Sequence, residues 1–303
     1  MPVYPGETRW REYLKPEVLM RLQSLELRAR AVVEGFLIGL HRSPYHGFSV
    51  EFAEHRQYQP GDEPRLIDWK VYARTDRFYV KRFEQETNVR TLLALDCSAS
   101  MGFRYKSPVS KWDYAALCAA ALAYLLLRQK DAVGLALYDT ELRAYQPPSA
   151  RASHFSVLLE LLQSAEPKGQ TQLATALSEL AERLHRRSLV VVMSDFLDDP
   201  AESVAALRRL RAQKHEVLAF QILEPVERTL AGARAAEFRD LETGERMVVH
   251  PSFFYQDYQR AFQHHQRQLA VGCAEYGIDF VELDTTTPFD RALQQYLAKR
   301  YGR

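Results

Sequence analysis

The chain has 303 residues, with 40 Lys and Arg against 39 Asp and Glu and a formal net charge of +1. Hydrophobic residues make up 47% and charged residues 26%, which is typical of a globular protein and excludes a disordered polar chain. This near balance of charge provides no bulk attraction to nucleic acid or to an anionic membrane, so neither is an expected partner.

The first 89 residues predict an accessory segment. Its N-terminus is polar and lacks the apolar core of a secretory signal. Pro16 is predicted to open an amphipathic helix, because apolar residues recur at helical spacing as Leu19, Leu22, Leu25, Ala29, Val32, Val33 and Phe36. Short extended pieces near 48–52 and 78–83 need strand partners, so we expect residues 1–89 to form a helix and a small β-rich region packed on the remainder.

From residue 90 onward, strands and helices alternate. Strands are predicted over 90–95, 132–138, 189–193, 216–223 and 279–283, with a short partner strand over 141–145. Helices are predicted over 111–129, 153–164, 172–185 and 252–276, with two more beginning at Asp199 and near Thr287. A hairpin is inserted at about 224–250. The pattern predicts one α/β domain over 90–303, doubly wound, with a mainly parallel six-stranded sheet and helices on both faces.

Membrane insertion and disulfides are not expected. The longest apolar run, 115–127, is shorter than the ~20 residues that span a bilayer, so we predict no integral membrane segment. The three cysteines, at positions 97, 118 and 273, lack the spacing of a zinc site or disulfide framework. These features predict a cytoplasmic protein. Two histidines of the long helix, His264 and His265, are expected on its solvent face.

Oxygen-bearing side chains are expected at three strand-to-helix junctions. Asp96, Ser98 and Ser100 come directly after the first strand of the domain, and Thr171 and Asp195 lie at later junctions. Ligands of open parallel sheets collect at the carboxyl ends of the strands, so these side chains are expected to converge. Carboxylates and hydroxyls are ligands for Mg²⁺, Mn²⁺ or Ca²⁺. The alternative is that Asp96 and Ser98 only accept hydrogen bonds from loop amides.

This set of three loops resembles the metal-ion-dependent adhesion site of von Willebrand factor A domains. The resemblance implies that Ser98, Ser100 and Thr171 contribute hydroxyls, while Asp96 and Asp195 act directly or through water. It also implies that the ion, most simply Mg²⁺, keeps one position open for a carboxylate of another protein.

A second motif precedes the domain. The segment from Tyr58 through Gln59-Pro-Gly-Asp62 to Arg74 resembles the signature of the bacterial family called domain of unknown function 58. The resemblance extends over nearly the whole chain and implies a von Willebrand factor A-like fold. It further implies work with a MoxR-type AAA ATPase, or with that ATPase's client, in protein assembly or chaperoning.

Charged side chains of this motif have two possible roles. Carboxylates and guanidiniums there can form forked pairs, so they either hold the N-terminal segment in place or present a surface to a partner. The candidate residues of this surface are Asp62, Arg65, Asp68, Trp69 and Arg74.

An enzyme is the competing class. Some phosphohydrolases place a nucleophilic aspartate at the end of a first strand, and Asp96 occupies such a position. Those enzymes need a second acid two residues on to protonate the leaving group, whereas this chain has Ser98 there. We therefore expect a non-enzymatic, metal-dependent interaction module, with a magnesium-dependent phosphohydrolase using Asp96 as the alternative.

Overall fold

The structure, a computed structural model, describes residues 14–42, 55–58, 69–75, 77–81, 90–230, 236–249 and 251–301. The chain divides into two compact units, one containing residues 1–39 and 89–303 and the other containing residues 40–88. The predicted accessory segment over 1–89 stays a prediction.

The strands are, in chain order, β1 His55–Gln57, β2 Tyr79–Lys81, β3 Arg90–Asp96, β4 Ala132–Tyr138, β5 Leu142–Ser149, β6 Leu189–Ser194, β7 Glu216–Leu223, β8 Ala236–Arg239, β9 Arg246–Val249 and β10 Asp279–Asp284. The helices are α1 Pro16–Leu19, α2 Leu25–Arg42, α3 Trp69–Thr75, α4 Lys111–Arg128, α5 His154–Ser164, α6 Leu173–Arg183, α7 Pro200–Ala212, α8 Pro225–Thr229, α9 Pro251–Glu275 and α10 Asp290–Tyr301. None of these helices combines the length and apolarity needed to cross a bilayer.

The large unit is built on a six-stranded sheet in the order β10-β7-β6-β3-β4-β5. All neighbouring strands are parallel except β5, which runs antiparallel to β4. The central strands are buried on both faces because they are continuous apolar runs, as parallel sheets require. The predicted fold class, α/β with a mainly parallel six-stranded sheet, is confirmed.

Helices cover both faces of this sheet. Leu92 and Ala94 of β3 belong to a core shared with α6, α7 and α9. Successive strand residues point to opposite faces, so Leu93 and Leu95 point the other way, where α4 contacts β3, β4 and β7. Two helix starts were also predicted correctly: Ser110 and Asp113 form a capping box before α4, and Asp199 caps α7.

The edge strand β5 is longer than the predicted partner over 141–145. It includes Pro147 and Pro148, which a sheet tolerates at an edge because proline donates no ladder hydrogen bond. Gly134 of β4 allows the two backbones to approach closely. A Cβ atom there would lie 2.6 Å from the Gln146 carbonyl oxygen.

The N-terminal helix is interrupted, which the sequence pattern did not predict. α1 ends at Leu19, and α2 begins at Leu25 after a turn in which the Ser24 hydroxyl accepts a hydrogen bond from the Leu27 amide, 3.1 Å away. The Arg28 Nε also donates to the Leu22 carbonyl oxygen at 2.9 Å, which stabilises the break. Within α2 most of the predicted stripe is buried, with Ala29, Val32, Val33 and Phe36 at most 1% exposed, whereas Leu25 is half-buried.

The inserted hairpin is formed by β8 and β9, which pair antiparallel with Ala236 opposite Val249. Its turn contains Gly244 at a φ of +76°, a conformation that suits glycine. The short helix α8, between β7 and the hairpin, was not predicted.

The small unit contains the antiparallel pair β1 and β2, with Arg56 opposite Val80, and the helix α3. Four aromatic rings cluster there, and those of Tyr72 and Phe78 stack with centroids 4.4 Å apart. β2 lies within the strand predicted near 78–83. The extended piece predicted near 48–52 lies outside the described residues, and α3 was not predicted.

Candidate metal centre

Asp96 ends β3 and joins three loops at the carboxyl edge of the sheet. Its side chain is fully buried. Oδ1 accepts a hydrogen bond from the Ser98 amide at 2.9 Å. Oδ2 accepts from the Ser194 hydroxyl at 2.7 Å and from the Thr171 hydroxyl at 3.2 Å. The carboxylate therefore connects the loops that follow β3, precede α6 and end β6.

The two predicted serines lie together beside this carboxylate. Ser98 precedes a short 3₁₀ turn over Ala99–Gly102, and its hydroxyl oxygen lies 3.1 Å from that of Ser100. Backbone bonds hold their loop to the loop before α6, because the Ala99 amide donates to the Gly169 carbonyl at 2.9 Å. This backbone bond, not the serine hydroxyls, thus joins the two loops. The expectation that Thr171 follows a strand is wrong, because its loop lies between helices α5 and α6.

These oxygens suit a small divalent cation. Adjacent ligands of an octahedral Mg²⁺, with bonds of 2.0–2.1 Å, lie about 2.9 Å apart. The Ser98 to Ser100 oxygen distance of 3.1 Å and the Thr171 to Asp96 distance of 3.2 Å are close to that spacing. Among the described residues, no group of three His, Cys, Asp or Glu side chains is placed to hold a metal, so an ion here depends on hydroxyl ligands.

The second predicted carboxylate, Asp195, is paired with a buried lysine. Lys111 Nζ lies 2.8 Å from Asp195 Oδ2 and 2.7 Å from Glu227 Oε1, and the lysine is 1% exposed. Burial lowers the pKa of Lys111, but the two carboxylates outweigh burial and raise it above its usual range. Asp195 is therefore partly compensated by a lysine that it shares with Glu227, and any contact of Asp195 with an ion competes with this pair.

Asp96 has no such partner among the residues that the structure describes. Burial, followed by the charge of Asp195, raises the pKa of Asp96 to about 7, although hydrogen bonds from Ser194 and Ser98 lower it. Asp198 is affected similarly: burial and then the charges of Asp195, Glu242 and Glu202 raise its pKa to about 6. The edge of the sheet thus holds carboxylates whose ionised forms are stabilised by a cation.

The loop after Asp195 is strained. Phe196 is buried and adopts a left-handed φ of +49°, which is unusual for a bulky residue. Its amide donates to the Ser194 hydroxyl oxygen at 3.1 Å, and its carbonyl oxygen lies 2.8 Å from His265 Nε2. These bonds keep Ser194 oriented toward Asp96. They also correct the expectation that His265 only faces solvent.

The hairpin reaches the same site. Glu242, in the turn between β8 and β9, accepts a hydrogen bond through Oε2 from the Thr171 amide at 3.1 Å. Beside Thr171 lies a polar cleft of about 310 Å³, whose lining includes Asp198, Asp199 and Glu202. Glu242 was not predicted as a site residue, because a contact across 71 residues leaves no local sequence pattern.

Three other site residues were not predicted, and their sequence contexts give at most weak indications of a role. Lys111 is a lysine at the first position of a helix that is otherwise almost entirely apolar, which marks it as unusual. Ser194 is the last residue of the buried strand β6 and directly precedes a predicted ligand. Glu227 belongs to a helix that was not predicted.

The second candidate surface is described only in part. Asp62, Arg65 and Asp68 lie outside the described residues, and their predicted pairing stays a prediction. Trp69 and Arg74 lie on α3, and Trp69 is 59% exposed.

Comparison with known proteins gives the following similarities. The family model described as "Protein of unknown function DUF58" matches residues 54–268. Uncharacterized proteins of Mycobacterium bovis and Mycobacterium tuberculosis are 29% identical over 290 residues, covering 94% of this chain and 90% of theirs. The crystal structure of conserved hypothetical protein BatB from Bacteroides thetaiotaomicron is 17% identical, covers 71% of this chain and 100% of that one, and has a TM-score of 0.49. The vWF domain of the type V pili tip protein Mfa5 from Porphyromonas gingivalis is 12% identical, with coverages of 70% and 95% and a TM-score of 0.38.

Proposed function

The chain belongs to the DUF58 family and has a von Willebrand factor A-like fold, and we propose that it is a non-enzymatic, metal-dependent protein-interaction module. The ion is Mg²⁺, with Mn²⁺ or Ca²⁺ as substitutes, and Asp96, Ser98, Ser100 and Thr171 hold it. The observation that carries the proposal is a buried carboxylate that has no cationic partner in the described part of the chain and is surrounded by hydroxyls at ligand spacing.

Chemically, a bound ion would supply uncompensated positive charge at the edge of the sheet. Mg²⁺ takes six oxygen ligands, and the four residues above leave room for water or for a carboxylate from another protein. We propose that this partner is a MoxR-type AAA ATPase or its client, and that the encounter takes place in the cytoplasm. The cysteines fit a reducing compartment, since all three are free and buried.

The geometry gives Asp96 little freedom as a nucleophile. Both of its oxygens accept hydrogen bonds inside a closed side-chain cluster, and Ser98 occupies the position where a phosphohydrolase of this type needs a second acid. Metal-dependent hydrolysis of a phosphate ester that disappears in Asp96→Asn would favour the enzymatic alternative.

The test is calorimetric titration of the full chain with Mg²⁺ and then with the candidate ATPase. Wild type, Asp96→Asn and Thr171→Ala are compared, together with wild type in chelator. Thr175→Ala is the matched control, because Thr175 lines the same cleft one helical turn away and makes no bond to Asp96.

Partner binding should require Mg²⁺ in wild type and in Thr175→Ala, and should be lost in chelator and in both site variants. Equal partner affinity under all conditions would refute the metal-dependent mechanism. It would favour the surface over 62–74, which includes Trp69 and Arg74, as the partner-binding site.

A further inference from the structure

The tip of the β8–β9 hairpin places an acidic side chain against the candidate metal centre. Glu242 Oε2 accepts the Thr171 amide hydrogen bond at 3.1 Å. Glu242 is half-buried, whereas its neighbours Leu241, Thr243 and Gly244 in the turn are exposed. Within the described residues, no hydrogen bond is made to its second oxygen, Oε1. One oxygen of Glu242 is thus fixed beside a proposed ligand, and the other is available.

The turn is organised to hold Glu242 in this position. Asp240 Oδ1 accepts hydrogen bonds from the amides of Glu242 at 2.8 Å and Thr243 at 3.2 Å. The Gly244 amide donates to the Asp240 carbonyl oxygen at 3.0 Å, and the glycine supplies the left-handed φ that closes the turn. Side-chain bonding of this kind fixes the turn locally, so the Glu242 carboxylate is presented with little loss of conformational freedom.

The local charge makes this arrangement unfavourable without a cation. The cleft beside Thr171 already contains Asp198, Asp199 and Glu202, and the Thr171 hydroxyl donates to Asp96. Bringing a further carboxylate to this edge raises the repulsion among like charges. A single amide hydrogen bond is worth only about 1 kcal/mol net, which is a weak compensation. A divalent ion between Asp96 and Glu242 removes the conflict.

We propose that Glu242 ligates the ion in place of the partner's carboxylate when no partner is bound. This inference rests on the proposed function. With the hairpin docked, Glu242 occupies the position on the ion that the partner needs. Partner binding replaces one carboxylate with another and releases the hairpin tip. The hairpin is therefore an autoinhibitory element that raises the threshold for partner binding and prevents free acidic molecules from occupying the ion.

Mn²⁺ alone is the probe for the test. Its binding to the full chain is followed by electron paramagnetic resonance, and the water molecules on the bound ion are counted by water proton relaxation. Glu242→Gln is compared with wild type and with Glu245→Gln, a matched control that alters an exposed glutamate in the same turn. Acetate is then titrated into each Mn²⁺-loaded protein as a small carboxylate.

Glu242→Gln should bind Mn²⁺ about tenfold more weakly, because the ion loses a charged ligand. It should also carry one more exchangeable water, which acetate displaces at lower concentration than in wild type. Glu245→Gln should match wild type in all three measurements.

Two results would overturn the inference in distinguishable ways. If Mn²⁺ binds wild type and Glu242→Gln with equal affinity and equal hydration, Glu242 does not ligate the ion, while the proposed metal site stands. If Mn²⁺ binds neither wild type nor the variants, both the metal site and the role of Glu242 are wrong.

Discussion

Asp96→Asn is the most direct perturbation of the candidate site. The substitution keeps the shape of the buried side chain and one carbonyl oxygen, but it removes the charge. The hydroxyls of Ser194 and Thr171 can rotate to accept from the new amide, so the local packing is preserved. The main effect on stability should therefore come from the ionisation of Asp96.

The magnitude follows from the pKa of this carboxyl. It is about 7 in the folded protein without an ion and 3.8 ordinarily, chiefly because of burial. A folded-state pKa above the unfolded one means that the protonated group favours folding. The associated stability is present below about pH 4 and is lost as pH rises to about 7, which corresponds to roughly 4 kcal/mol at 1.36 kcal/mol per pH unit.

The assay is urea denaturation of wild type and Asp96→Asn in chelator from about pH 4 to about pH 8, repeated with Mg²⁺. In chelator, the variant should gain stability relative to wild type as pH rises, by up to about 4 kcal/mol. Saturating Mg²⁺ should stabilise wild type at the higher pH and leave the variant unchanged. Parallel pH profiles for the two proteins in chelator would refute this account of Asp96.

Two further predictions concern stability. Lys111→Met leaves two buried carboxylates without their ammonium and should cost about 3–5 kcal/mol in urea denaturation; a loss no larger than that of exposed Lys106→Met would contradict this. Gly134→Ala places a Cβ 2.6 Å from a backbone oxygen of β5 and should cost about 1–3 kcal/mol, whereas Gly102→Ala, whose Cβ has its nearest neighbour at 3.5 Å, should be nearly neutral.

Local patterns predicted most of the large unit. β4 and β7 have the predicted bounds, 132–138 and 216–223, because each is a short, mainly apolar run. The start of α4 was predictable because its capping box is contained within four residues. The continuous helix from Pro16 was wrong because one hydroxyl, that of Ser24, offers the backbone a competing turn, and apolar periodicity does not report this.

The candidate site was predictable where it depends on strand ends. Asp96 and Ser98 lie at the end of β3 and Asp195 at the end of β6, so their proximity follows from topology, whereas Thr171 lies in the loop between helices α5 and α6, which strand order does not place. Lys111 and Glu242 reach the site from a helix start and an inserted hairpin, and their distances along the chain from their partners are 84 and 71 residues. Contacts of that range are set by tertiary packing and leave no periodic signal.

The charged groups at the site form two sets. One is the ion pair of Lys111 with its carboxylates, and the other is the proposed ion with the carboxylate that binds it. Lys111 is shared by Asp195 and Glu227, so this group retains a net negative charge, and Asp195 still raises the pKa of Asp96. In the proposed site, Asp96 alone leaves a divalent ion with a net charge of about +1, which attracts a further carboxylate. Glu242 neutralises that charge when the hairpin is docked. A partner's aspartate or glutamate then replaces Glu242 without changing the net charge, so the exchange avoids the desolvation penalty of an uncompensated ion. Affinity for a partner is therefore set by the contacts that surround its carboxylate.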